Sequence, residues 1–328
     1  MEPDDAHWME VALAEGRAVR HRTPPNPWVG AVVVTANGAP FLGATEPPGG
    51  RHAEIVALDD AGSLARGATL FVTLEPCSHT GRTGPCVEAI IAAGVSRVVV
   101  AVEDPDALVS GRGLEALRSA GIEVELGCLA DAATEDLASY LHHRRTGRPL
   151  VTVKLASTLD GRTAAADGSS RWITSEAARR DVHELRASCD AILVGAGTVR
   201  SDDPELTVRL DRDIEHQPRR LVLGAIPEGA KVLPAESVGG DLGALLDRLG
   251  SEGVLSLLVE GGAQVAHSFI TGGFADRLVL YVAPALMGGD DGTPVLSGPG
   301  AKGIGDLIRG RFLSIRPVGD DLRMEVEL

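Results

Sequence analysis

His52-Ala53-Glu54, then Glu75-Pro76-Cys77, then Cys86 after eight intervening residues, form the most chemically suggestive group in this 328-residue chain. Zinc prefers imidazole and thiolate ligands, and a catalytic zinc keeps one coordination position open for water. One His and two Cys make three protein ligands, and two thiolates balance the charge of the ion. Water on such an ion has its pKa lowered toward about 7. Glu54 is too close in sequence to His52 to be a natural fourth ligand, but it can move a proton from water to a substrate nitrogen. A Pro-Cys-x-x-Cys arrangement would be the shorter way to supply two thiolates, and this chain departs from it. An x2 spacer keeps both thiolates on one helical turn, whereas residues 78–85 must form a polar loop, carrying His79 and Arg82, before Cys86 opens a helix. A helix N-terminus at Cys86 favours its thiolate form, and the loop could meet a phosphorylated substrate. A purely structural zinc would want a fourth protein ligand, for which His79 is the one nearby candidate.

These residues need elements to hold them. Residues 4–19 carry Trp8, Val11, Ala12 and Val19 at helical spacing. A buried strand is predicted at 29–34 and further strands at 69–74, 97–102 and 122–126, with a short strand ending near Leu42-Gly43 after the Asn37-Gly38 turn. Helices are predicted from His52 to Gly62, Cys86 to Gly94, Gly113 to Gly121 and Leu137 to Arg145. Thr146-Gly147-Arg148-Pro149 stops the last helix and starts a new β pattern, which divides the chain into domains 1–146 and 147–328. The second series predicts strands at 151–155, 191–195, 220–224, 255–260, 277–283, 311–318 and 322–328, and helices near 176–188, 241–250 and 263–271. This alternation is that of an α/β chain with helices covering sheets.

Lys+Arg 31 against Asp+Glu 46 gives a net charge of −15, which argues against a nucleic-acid binder. Aromatic residues at 3% argue against a base-stacking surface. Four cysteines are too few for a disulfide scaffold. The acidic N-terminal stretch has no apolar core of a secretory signal, and no apolar run reaches about 18 residues. A cytoplasmic protein without membrane contact is expected. In the C-terminal half, Gly195-Ala196-Gly197-Thr198 continues Val199-Arg200-Ser201, so a G-x-G-x-x-G fingerprint is absent. Glu260-Gly261-Gly262 between a strand and a helix could still cradle a phosphate on backbone amides.

PNPWVGAVVV, HAEIVAL, GATLFVTLEPCSHTGRTGPC and AIIAAGV resemble the deaminase domain of the bifunctional riboflavin-biosynthesis family. In that family a diaminohydroxyphosphoribosylaminopyrimidine deaminase is fused to a 5-amino-6-(5-phosphoribosylamino)uracil reductase. LASTLDGRTAAADGSSRWITS, RRDVHELRA, AILVGAGTVRSDDPELTVR and LVEGG resemble its reductase domain. The resemblance implies a cytidine-deaminase-like three-layer N-terminal domain and a dihydrofolate-reductase-like C-terminal domain. It implies one Zn2+ per chain on His52, Cys77 and Cys86, Glu54 as the catalytic acid/base, and substrate contacts at Asn26 and, in the Cys77–Cys86 loop, Arg82. It implies NADPH contacts at Ala156, Trp172, Thr198, Asp202, Gly262, Ala263, Gln264, Val265, Ala266, His267 and Ser268. Substrate contacts in the second domain fall at Ser170, Arg186, Leu206, Arg209 and Glu260. The residue types agree: Arg186 and Arg209 suit a ribose phosphate, Asp202 and Glu260 suit sugar hydroxyls, and Trp172 suits a nicotinamide ring. The ordinary alternatives are a solvated helix face for Arg186, a turn at Asp202-Asp203-Pro204 and a core position for Trp172.

The implied activity is zinc-dependent deamination of a small phosphorylated pyrimidine, 2,5-diamino-6-(5-phosphoribosylamino)pyrimidin-4-one, followed by NADPH-dependent reduction of ribosyl to ribityl. Water or Asp202 are the candidate proton donors for the second step. Three departures stand out: Thr45 replaces a frequent His, Gly224-Ala225 replaces Asp-Ser, and the segment 210–255 is short. The alternatives are a deaminase with a degenerate reductase half, and a nucleoside or tRNA deaminase. Exposed apolar strands in the second half are compatible with a homodimer. Cys128 and Cys189 are expected in the core.

Overall fold

The computed structural model describes residues 4–78, 84–106, 109–212, 214 and 216–328. It separates into two compact units, Met1–Gly147 and Arg148–Leu328. In the first, α1 (Asp5–Val19) begins where the Asp4 carboxylate accepts a hydrogen bond from the His7 amide at 3.0 Å. There follow β1 (Gly30–Val34), β2 (Pro40–Ala44), α2 (Ala53–Ala61), β3 (Thr69–Leu74), α3 (Cys86–Ala93), β4 (Arg97–Val102), α4 (Arg112–Ser119), β5 (Glu123–Leu126), α5 (Ala130–Asp136) and α6 (Ala138–Thr146). The sheet order is β2-β1-β3-β4-β5, antiparallel at β2-β1-β3 and parallel from β3 to β5.

Met9, Ala12 and Leu13 of α1 pack on Val32, Phe71 and Val99 of the sheet, and each large side chain so buried contributes about 1.5–3 kcal/mol. Two glycines let helices lie directly on strands. A Cβ on Gly30 would fall 1.7 Å from the Ala12 carbonyl oxygen, and one on Gly43 2.1 Å from that of Ala53. The second contact seats the N-terminus of α2, with His52 and Glu54, against β2. The polar stretch ADAATED has no apolar periodicity and was not anticipated as α5; only Ala133 of it is buried.

The second unit runs β6 (Leu150–Thr158), β7 (Arg162–Ala164), α7 (Glu176–Ala187), β8 (Ala191–Gly195), α8 (Ala196–Asp202), β9 (Arg219–Leu223), β10 (Glu236–Val238), α9 (Leu242–Ser251), β11 (Ser256–Val259), α10 (Ala263–Thr271), β12 (Arg277–Ala283), β13 (Thr293–Pro294), β14 (Arg311–Val318) and β15 (Asp321–Glu327). The large sheet has the order β10-β9-β8-β11-β6-β12-β15-β14. Neighbours from β10 to β12 are parallel, and β15 and β14 close the edge as an antiparallel pair. Val151, Val153 and Leu155 of β6 join Leu193, Leu257 and Phe269 in the core. The period of two turns Lys154 and Ala156 to the other face, into a cleft. Short β7, β10 and β13 and the Gly- and Thr-containing α8 escaped the sequence patterns. Ala196 and Val199 hold α8 by burial. Cys128 and Cys189 are half-buried, each packed against its unit's core. Among the described residues no helix is long and apolar enough to cross a membrane.

Candidate metal centre and C-terminal cleft

Two strand-to-helix junctions, β2 to α2 and β3 to α3, bring the donors together. His52 is the N-cap of α2, Cys77 follows β3, and Cys86 is the first residue of α3. The donor atoms of His52, Cys77 and Cys86 lie within 4.8 Å of one another. His52 Nδ1 is 3.2 Å from Cys86 Sγ and 3.6 Å from Cys77 Sγ. Four-coordinate zinc, with bonds of about 2.0–2.1 Å to nitrogen and 2.3 Å to sulfur, separates its ligands by about 3.5–3.8 Å. The donor set and its spacing therefore fit zinc with one position left over.

The two thiols lie close enough to share one proton when no ion stands between them. Hydrogen bonding with Cys86, then with His52 and the Cys86 amide, holds Cys77 down at about 4. The same Cys77 partner, burial and the neighbouring Glu54 charge push Cys86 up. Burial also raises Glu54, whose side chain is only 4% exposed, so the carboxyl takes up a proton more readily than a surface glutamate.

Glu54 and His52 open onto a cavity of about 180 Å³, also lined by Asn26, Thr45, Asp104 and Arg144. Thr45 Oγ1 accepts from the Val29 amide at 3.1 Å, so this position braces β1. Sequence reasoning passed over Glu75 as a functional residue. Its buried carboxylate accepts from the amides of Asp104 (3.3 Å), Gly111 (3.0 Å), Gly113 (2.8 Å) and Leu114 (3.3 Å). It latches the cavity-lining segment that begins at Asp104 onto the start of α4, two residues from Cys77. Arg82 and His79 lie outside the described residues.

The second unit holds a cleft of about 470 Å³ at the carboxyl ends of the parallel strands. It collects Ala156, Ser170, Trp172, Thr198, Asp202, Leu206, Arg209, Arg186 and Glu260, all anticipated from sequence. Two roles change. Arg186 donates to Glu260 through Nε at 2.6 Å and Nη2 at 3.0 Å, and to the Thr207 carbonyl through Nη1 at 3.2 Å. Three of its five N–H donors are engaged this way, so it anchors Glu260 while keeping two more N–H groups. Trp172 is no core residue: it is 69% exposed and stacks under Arg179, 4.4 Å from the ring centre. Arg209 leans on Glu205 and Thr207 at the rim. Asp203 and Leu206 hold positive φ values of 43° and 53°, strain of about 1–3 kcal/mol each that shapes this wall.

Lys154 went unnoticed in the sequence because it sits within an apolar run that reads as core. Its amine is 4.0 Å from Glu260, and burial lowers its pKa while the Glu260 charge resists the shift. Burial pushes Glu260 up, but Arg186 and Lys154 outweigh it and keep the carboxylate ionised. His183, lowered by burial and then by Arg186 and Arg209, accepts the Arg209 amide on Nδ1 at 3.1 Å.

The α10 residues are divided in their placement. Gly262 is the N-cap, with no side chain to cap the first amides, and its Cβ position is 3.6 Å from Thr198 Oγ1. A Cβ on Gly261 would meet that of Val265 at 2.5 Å, so the turn demands glycine. Ala263 and Ala266 are buried, and Val265 packs against the core. His267 bonds the Pro299 carbonyl at 2.9 Å, and Ser268 bonds that of Gln264 at 3.0 Å. None of residues 262–268 is among the side chains lining the cleft. What this segment offers is the backbone of its first turn.

Residues 2–102 match the family model of the cytidine and deoxycytidylate deaminase zinc-binding region, and residues 149–324 match that of the RibD C-terminal domain. The chain is 42% identical to riboflavin biosynthesis protein RibD of Bacillus amyloliquefaciens, covering 98% of this chain and 95% of the relative. It is 45% identical to that of Mycobacterium tuberculosis, covering 97% and 96%. A solved structure of Acinetobacter baumannii RibD, form 1, superposes with a TM-score of 0.91 at 37% identity over 98% of each chain. A diaminohydroxyphosphoribosylaminopyrimidine deaminase/5-amino-6-(5-phosphoribosylamino)uracil reductase from Thermotoga maritima superposes at 0.87 with 33% identity, again over 98% of each chain.

Proposed function

Because the chain belongs to the RibD family of riboflavin-biosynthesis proteins, with both its deaminase and its reductase domain, we propose residue roles for its two reactions. The observation that carries the reading is the pairing, in one chain, of a His-Cys-Cys cluster beside a buried glutamate with a separate cleft built on a Lys-Glu-Arg ionic group. The substrate is the phosphoribosylamino diaminopyrimidinone, which loses its amine as ammonia before its ribosyl group is reduced to ribityl.

In the first unit His52, Cys77 and Cys86 hold zinc, which when bound lets a water ionise near pH 7. Asn26 orients the pyrimidine in the cavity. Glu54 takes the water's proton and returns it to the departing amine. Its raised pKa suits both halves of that shuttle.

In the second unit NADPH supplies the hydride when bound. The cleft volume falls within the roughly 300–1,000 Å³ of small-molecule sites. The bare first turn of α10, with Thr198 beside it, suits an anionic diphosphate. Exposed Trp172 and the half-buried Ala156 offer an apolar wall to a nicotinamide ring. Ser170, Arg209 and Glu260 address the substrate. Lys154, held by Glu260, is the group best placed to give a proton to the ribose ring oxygen as the ring opens, in preference to Asp202 at the rim. The intact Lys154–Glu260–Arg186 group supports a working reductase over a degenerate one.

A reducing cytoplasm belongs to this reading, since both thiols must stay reduced to bind metal. Phe312 and Ile315, exposed on edge strand β14, favour a second copy of the chain as partner. The test is to incubate the zinc-loaded protein with the substrate, following ammonia release and NADPH oxidation separately. We expect stoichiometric ammonia, then NADPH consumption on the deaminated product. A chelator should stop only the first. Absence of NADPH oxidation on pre-deaminated substrate would refute the reductase assignment.

A further inference from the structure

The deaminase reading leaves open how an acidic pocket receives a phosphorylated substrate. The cavity of about 180 Å³ is smaller than the roughly 300 Å³ at which sites begin to enclose a whole drug-sized ligand. It can take the pyrimidine, and the ribose phosphate must lie toward its mouth. Its described lining includes four carboxylates, those of Glu54, Glu75, Asp104 and Asp106. Apart from the ligand His52, the one basic side chain among the described lining residues is Arg144 of α6. Thr45 brings no charge, and its hydroxyl is engaged with the Val29 backbone.

Arg144 is held in a way that suits capture of an anion. Its guanidinium stacks on the Tyr140 ring, 5.0 Å from the centre, and the Tyr140 hydroxyl donates to Asp104 at 3.0 Å. Arg144 forms an ion pair with Asp106, Nε to carboxylate 4.0 Å, too long for a hydrogen bond, and Nε is buried without a hydrogen-bond partner among the described residues. The side chain is 30% exposed, so it also faces solvent. Stacking fixes the plane of the fork in advance, which lowers the entropy lost when it binds a phosphate.

We propose that Arg144 binds the phosphate of the phosphoribosyl group in the deaminase pocket and makes this site select phosphorylated over dephosphorylated pyrimidine. The proposal rests on the deaminase reading above. Charge-assisted hydrogen bonds of this kind correspond to about 10- to 100-fold in affinity.

The experiment compares kcat and KM for ammonia release from the phosphorylated substrate and from its phosphatase-treated counterpart. It uses the zinc-loaded full chain and the variants Arg144→Met, Arg144→Lys and Arg145→Met. Arg145 sits next on the same helix end and removes the same charge. Arg144→Met should raise KM for the phosphorylated substrate by about 10- to 100-fold with little change in kcat, and leave the dephosphorylated one unaffected. Arg144→Lys should recover part of the preference, and Arg145→Met should behave as the parent. Preference retained in both Arg144 variants overturns the proposal. So does an equal loss on both substrates in both variants, which marks a structural role. No ammonia from either substrate with the parent protein overturns the deaminase reading itself, and is a different result from lost selectivity.

Discussion

Glu75→Gln should loosen the wall of the deaminase cavity while sparing the second activity. The Glu75 carboxylate receives four amides, two on Oε1 (Gly113 and Leu114) and two on Oε2 (Gly111 and Asp104). Glutamine has one oxygen, so two of the four amides would face an NH2 group. Each buried donor left unsatisfied costs about 1–3 kcal/mol. The sum, about 2–6 kcal/mol, is reduced because the wild-type site buries a charge, and burial already pushes this carboxyl up. A net loss of about 2–4 kcal/mol is expected. For a unit of this size that amounts to roughly 5–15 °C in melting temperature. Differential scanning calorimetry of the zinc-loaded full chain would read it. Ammonia release should show a raised KM, since the latched segment carries Asp104, Asp106 and Val109 of the cavity wall. NADPH oxidation on deaminated substrate should not change. A melting temperature within about 2 °C of the parent, with an unchanged KM, would show that the four amides do not depend on the carboxylate.

Three further outcomes test the remaining machinery. Glu54→Gln should lower ammonia release about 10²- to 10⁴-fold, with zinc content by mass spectrometry and NADPH oxidation retained. An equal loss of both activities in folded protein would contradict two separate sites. Lys154 is lowered by burial from its ordinary 10.5, so its acid form is present below that shifted pKa and is lost as pH rises through it. The kcat/KM for NADPH oxidation should therefore fall on a basic limb below pH 10.5, and Lys154→Met should remove the limb. Arg186→Met leaves the buried Glu260 carboxylate without its bidentate partner, and should cost about 3–5 kcal/mol, read by chemical denaturation of the second unit. A variant as stable as the parent would mean that Lys154 alone satisfies Glu260.

What was legible in the sequence was local. The metal ligands and Glu54 stand out because zinc chemistry needs particular side chains, and each sits at a junction where a hydrophobic run changes period. The same periodicity marks the long strands and helices, since a face that packs on a core must repeat every two residues or every 3.6. Short elements such as α5, α8 and β13 carry too few apolar residues to leave a pattern, and only tertiary burial or pairing stabilises them. The pairings that finish each site were settled by the fold. Arg186 meets Glu260 across 74 positions, and Glu75 gathers amides 29–39 positions away. Lys154 enters the cleft because β6 lies between β11 and β12. Sheet order and strand register decide such meetings, and both follow from how the whole core closes. Composition and motif spacing therefore determined which chemistry this chain carries. The tertiary structure decided which charges meet, as Arg186 meets Glu260 at the cleft and Arg144 meets Asp106 at the smaller cavity.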